Sequence, residues 1–184
     1  CDVDLISIEQ PDYNNLINQT ILIDREQCDY LPNVLIQCSI KIITTKFPDL
    51  NNDDSILKIL RLDIINKNYN TIPKYAFINL TILVDLRLEL NQIEIIFKES
   101  FEGLVNLKTL NLNSNRLESI EAYVFSKMPN LIKLQLYANR IKSLNSFSFD
   151  GLFKLIELDF TYNYIVYGDK FVFRHLNSIT GEFN

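Results

Sequence analysis

A spacing of 24 residues constrains this chain more than any local pattern does. Steps of 24 from Ile59 reach Leu83, Leu107, Leu131 and Leu155. Three places on, Leu62, Leu86, Leu110, Leu134 and Leu158 make a second apolar column, and Ile64, Leu88, Leu112, Leu136 and Phe160 a third. A fourth holds Ile93, Leu117, Ile141 and Ile165, and a fifth holds Phe77, Phe101, Phe125, Phe149 and Phe173. One polar column, Asn91, Asn115, Asn139 and Asn163, runs among them without an insertion. A helix needs apolar residues every three or four places and a strand every second one, and neither period accounts for "LKTLNLNSNRL" at 107–117. A repeat of this length is one supersecondary unit per period, too small to bury its own apolar side and therefore stacked on the next.

These columns resemble the extracellular leucine-rich repeats of 24 residues, L-x-x-L-x-L-x-x-N-x-L-x-x-I-x-x-x-x-F, as in Toll-like, slit-like and small-proteoglycan proteins. The resemblance implies an α/β solenoid, or horseshoe, with a parallel β-sheet on the concave face and irregular or short helical returns on the convex face. Five repeats are expected over residues 59–178. The first has an altered turn, with Lys67 at the asparagine position and Tyr69 after it. An asparagine amide has two donor hydrogens and an acceptor oxygen, so the Asn column is expected to satisfy backbone groups where each strand ends. The phenylalanines are expected to fill the convex side where no full helix stands.

A stacked array exposes apolar surface at each end, so residues 1–58 are expected to form an N-terminal cap. Subtracting 24 from Leu62 and Ile64 gives Cys38 and Ile40, and "LIQCSI" reads as a degenerate edge repeat. Family caps commonly carry disulfides, and the chain has three cysteines. A Cys28–Cys38 bridge, a bridge from Cys1 to either, and an unbridged Cys38 standing as a small apolar residue are the open readings. Residues 179–184 read as the start of a degenerate or truncated further repeat. Two sequons, at Asn18 and Asn79, agree with secretion and glycosylation.

The formal net charge of −5 offers no overall basic surface, from which nucleic acid is excluded as a partner. No apolar run is long enough for a membrane helix, so no membrane span is expected within this chain. The single histidine, His175, has no serine elbow or phosphate-cradling loop beside it, and its spacing from the cysteines matches no metal motif. The chain is therefore read as having no catalytic residues, no metal and no cofactor.

Function is expected on the concave face, where the family binds proteins. One column there is Arg61, Asp85, Thr109, Lys133 and Glu157, and the next is Asp63, Arg87, Asn111, Gln135 and Asp159. A third holds Ile65, Glu89, Asn113, Tyr137 and Thr161, and a fourth Asn66, Leu90, Ser114, Ala138 and Tyr162. In the N-terminal half, charges of opposite sign fall side by side and are expected to neutralise one another as exposed pairs. Farther along, Tyr137 and Tyr162 are of the type that anchors interfaces, with Gln135, Asp159, Lys133 and Glu157 around them. The expected role is an extracellular or cell-surface module binding a protein ligand, as a receptor ectodomain or secreted factor of immunity or cell signalling. A structural matrix or adhesion role is the alternative.

Overall fold

The computed structural model describes residues 21–29, 37–42, 60–169, 171–174 and 176. Its spine is a seven-stranded sheet built from β1 (Ile21–Asp29), β2 (Gln37–Ile42), β3 (Arg61–Asp63), β5 (Asp85–Arg87), β7 (Thr109–Asn111), β9 (Lys133–Gln135) and β11 (Glu157–Asp159), in that order. From β2 onward the strands are parallel, and β3 to β11 pair at a 24-residue offset, Leu62 to Leu86 to Leu110 to Leu134 to Leu158. In each of these short strands the middle residue is buried and its neighbours are more exposed, as alternation across a strand requires.

The array departs from its period at the N-terminal edge. β1 and β2 form an antiparallel pair, and β2 then joins β3 with Ile40 opposite Leu62, an offset of 22 rather than 24. The expectation that Cys38 stands opposite Leu62 is therefore corrected by two residues. A slip of two keeps every side chain on the same face, so an edge repeat shorter by two residues still continues the sheet. Asp29 pairs with Gln37, which puts Cys28 and Cys38 on neighbouring strands one step in from that pair. Their side chains lie outside the described residues, as do Cys1, Asn18, His175 and residues 179–184.

The returns are turns, with no helix among the described residues. They are tied by two smaller parallel sheets that periodicity did not indicate. One joins β4 (Thr71–Ile72) to β6 (Ile95–Ile96), and the other joins β8 (Ser119–Ile120), β10 (Ser143–Leu144) and β12 (Tyr167–Gly168). Beneath the turns Phe77, Phe101, Phe125, Phe149 and Phe173 stack in sequence, with centroids 6.2, 6.0, 6.2 and 5.9 Å apart. The leucine columns and this phenylalanine column make one continuous core.

Each buried asparagine bridges two repeats. Asn139 Nδ2 donates to the carbonyls of Leu112 and Leu136, both at 3.0 Å, and its Oδ1 accepts from the Leu117 N–H at 3.2 Å. Asn91 does the same for the first repeat: Nδ2 reaches the Ile64 and Leu88 carbonyls, and Oδ1 accepts the Lys67 and Tyr69 N–H groups. That is how Lys67 can occupy an asparagine position, because the next repeat's amide serves its backbone. Asn139→Ala is expected to leave these backbone groups without partners and to lower stability by about 2 kcal/mol, read from thermal or urea unfolding. An unchanged unfolding midpoint would mean that water takes over these bonds and that the column does not hold the repeats together.

Candidate recognition surface

The concave face is built from the side chains flanking each buried leucine. At its N-terminal half the parallel register sets Arg61 beside Asp85 and Asp63 beside Arg87. The four make one network: Arg61 Nε donates to Asp63 Oδ1 at 3.0 Å, Arg61 lies 3.7 Å from Asp85, and Arg87 lies 3.5 Å from Asp85 and 3.9 Å from Asp63. These groups are partly covered rather than fully exposed, with side-chain exposures of 17–36%. The hydrogen bond it donates to Asp63 pushes the Arg61 guanidinium above its ordinary value, so it stays charged. Glu89 beside them was no candidate in the sequence. Burial pushes its carboxyl up from the usual carboxylate range, against the pull of a backbone hydrogen bond and of Arg87. Its Oε2, like Asp85 Oδ1, is buried without a hydrogen-bond partner.

The C-terminal half has a different chemistry. Tyr137 and Tyr162 meet with ring centroids 5.0 Å apart and planes tilted by 56°. Tyr162 is 77% exposed and Tyr137 37%. Gln135 and Asp159 are paired in the sheet, and Lys133 Nζ sits 2.7 Å from Glu157 Oε2. All six residues singled out in the sequence thus fall on this stretch of the concave face, on β9, β11 and the turns that leave them. Asn113, which was not singled out, fixes the arrangement: its Oδ1 accepts the Tyr137 N–H at 2.9 Å. On the strand after it, Asp159 Oδ1 accepts both the backbone N–H and the hydroxyl of Thr161.

The fourth column is a turn column rather than a strand one. Asn66, Leu90, Ser114, Ala138 and Tyr162 all have φ between 53° and 58°. Left-handed backbone costs a residue with a Cβ about 1 kcal/mol, and a tyrosine there is unusual. In the inner repeats the twist is held from both sides: the Leu90, Ser114 and Ala138 N–H groups donate to the Asn113, Tyr137 and Thr161 carbonyls of the following repeat. The asparagine after each then bonds back to its own strand. This bend turns the Tyr162 ring out of the strand direction and against Tyr137.

Away from this face, the flank carrying β8, β10 and β12 has a hollow of about 420 Å³ lined by Ser119, Glu121, Ser143, Asn145 and Asp169 among others. The same flank bears a column in which Arg116, Arg140 and Tyr164 follow one another at 24-residue intervals. Arg116 lies 3.9 Å from Glu94, Arg140 is exposed, and Tyr164 is 66% exposed. Asn79 of the second sequon is exposed on a convex turn. Among the described residues no group of three or more His, Cys, Asp or Glu side chains could hold a metal ion, and no helix is long and apolar enough to cross a membrane.

The family model described as leucine-rich repeat matches residues 57–117 and 105–165, together more than half of the chain. No curated protein matches the sequence. Among solved structures, the crystal structure of a TLR13–ssRNA13 complex is similar with a TM-score of 0.66 and 32% identity, over 68% of this chain and 18% of that chain. The chain thus spans less than a fifth of the receptor chain it matches. This likeness corrects the exclusion of nucleic acid, since a similar solenoid is found in complex with single-stranded RNA. Whole-chain charge is a poor guide in a solenoid, where each column presents its own charges, as the arginines of the Arg116 column show.

Proposed function

Because the chain belongs to the leucine-rich-repeat family, we propose that it is a ligand-recognition module that engages a protein partner through its concave face, centred on Tyr137 and Tyr162. The observation that carries this reading is the exposed tyrosine pair, fixed by Asn113 and by the left-handed turn at Tyr162, on an open sheet. Aromatic side chains with few rotamers lose little entropy when they bury contact area, which suits them as anchors. Gln135, Asp159, Lys133 and Glu157 supply the polar surround. The role is that of an extracellular or cell-surface module of a receptor or secreted factor. The sequons at Asn18 and Asn79 and a Cys28–Cys38 bridge belong to the same proposal, as does the cap at residues 1–58. Cysteine pairing is checked by mass spectrometry of non-reduced peptides from secreted protein, where two free thiols would remove the bridge.

A second reading has support of its own. The TLR13–ssRNA13 complex and the exposed Arg140 and Tyr164 of the flank together favour single-stranded nucleic acid as a ligand, through cations for phosphate and rings for base stacking.

With a partner in hand, Tyr137→Ala and Tyr162→Ala are each expected to weaken binding by about 2 kcal/mol, roughly thirtyfold. Asp85→Ala and Arg87→Ala are expected to weaken it by less than about fivefold, as rim-like charges do. Circular dichroism checks that each variant is folded. Normal binding by the tyrosine variants with loss in the charge variants would place the site at the other end of the sheet, and loss only in Arg140→Ala would favour the flank.

A further inference from the structure

The concave face also specifies the charge of what it binds. Among the described side chains, the three cations on β3 to β11 are already engaged by carboxylates of the same face, Arg61 and Arg87 in the network with Asp63 and Asp85, and Lys133 with Glu157. Carboxylates outnumber these cations, and the surplus is Glu89 and Asp159, neither of which forms an ion pair among the described residues. Glu89 Oε2 and Asp85 Oδ1 are buried without a hydrogen-bond donor, which leaves the negative character of that end of the face uncompensated. The Lys133–Glu157 pair is exposed on both sides, and such pairs contribute little, so an incoming cation can exchange for Lys133 at small cost.

The tyrosine pair adds a second, independent preference. A tyrosine face attracts a cation, and guanidinium does this best because its plane stacks on the ring while its edge N–H groups still reach carboxylates. Tyr162 leaves its ring largely open, and Asp159 precedes it by three residues on the same strand and turn. Ring and carboxylate thus belong to one short stretch, β11 and the turn that leaves it.

Resting on the concave-face reading above, we infer that the partner is a cationic, arginine-bearing protein segment. It lies along the sheet with one guanidinium against Tyr162 and the carboxylates of Glu157 and Asp159. Its further positive charge faces Glu89, three repeats away.

The experiment measures binding of the folded chain to three labelled probes by fluorescence anisotropy: an arginine–glycine decapeptide, a glutamate–glycine decapeptide and a short single-stranded RNA. The arginine peptide is expected to bind saturably and to weaken as salt is raised. Tyr162→Ala and Asp159→Asn should each weaken it by about tenfold, while Tyr162→Phe, which keeps the ring, should bind as the parent does. Glu121→Gln removes the same charge away from the concave face and should leave binding unchanged. Equal weakening by Glu121→Gln and Asp159→Asn would reduce the effect to overall charge and overturn the inference, as would failure of the arginine peptide to bind. Tyrosine-dependent binding of the RNA or the acidic peptide in its place would also overturn it while keeping the concave site. Arginine-peptide binding indifferent to Tyr162 would defeat both.

Discussion

Phe125→Ala is expected to destabilise the chain by about 4 kcal/mol, among the largest effects of any single truncation in the array. Phe125 is fully buried and stacks on Phe101 at 6.0 Å and on Phe149 at 6.2 Å, so its ring is covered on both faces by the repeats before and after it. Removing it opens a cavity in the middle of a column that has no helix to collapse into the space. It also cuts a stack that couples one repeat to the next, and the array depends on such neighbour contacts. Phe173→Ala, at the partly buried end of the same column, should cost markedly less. Urea unfolding monitored by circular dichroism measures both, and equal effects at the two positions would show that the column does not act as a continuous stack.

The second large effect comes from a residue with no side chain. Gly103→Ala is expected to cost about 3 kcal/mol, lowering the thermal midpoint by roughly 10 °C. Gly103 has φ of +96°, where a Cβ is strained, and that Cβ would collide with the Ile78 backbone of the preceding repeat, about 2.6 Å from its Cα. Gly151, two repeats on, has a similar positive φ, and a Cβ there would lie 2.7 Å from the Ser126 Cα. Between them, Lys127 occupies the equivalent place without a left-handed φ, so the turn there takes a different path. Lys127→Ala should therefore change stability by less than about 0.5 kcal/mol. A tolerated alanine at 103 would show that the turn can back away from Ile78.

What could be read from the sequence, and what could not, divides along physical lines. Leu110 and Leu134 stand opposite each other because a strictly repeated period leaves only one register that buries every column. At β2 the chain is two residues short of that period, and nothing in "LIQCSI" says so, since a shift of two preserves the apolar face equally well. The left-handed column was also invisible, because Asn66, Leu90, Ser114, Ala138 and Tyr162 share no chemistry. In Leu90, Ser114 and Ala138 the conformation is held by neighbours, the asparagine that follows and the carbonyl of the next repeat. In the recognition surface, the six residues near Tyr137 were legible from their columns. Asn113 and Glu89 were not, because their roles depend on which neighbour their oxygens reach. Acidic overall composition hid Arg140, whose exposure only the structure shows.

The central claim is that ligand meets the concave face, and crosslinking tests it directly. A photoreactive phenylalanine analogue is placed at Tyr162 in one variant and at Tyr123 in another. Tyr123 is 44% exposed on a convex turn and stacks on Phe147, so it is open to a label but lies away from the sheet. With the arginine–glycine decapeptide or an identified partner bound, irradiation is expected to crosslink from position 162 and not from position 123. Crosslinking from 123 with none from 162 would contradict the account.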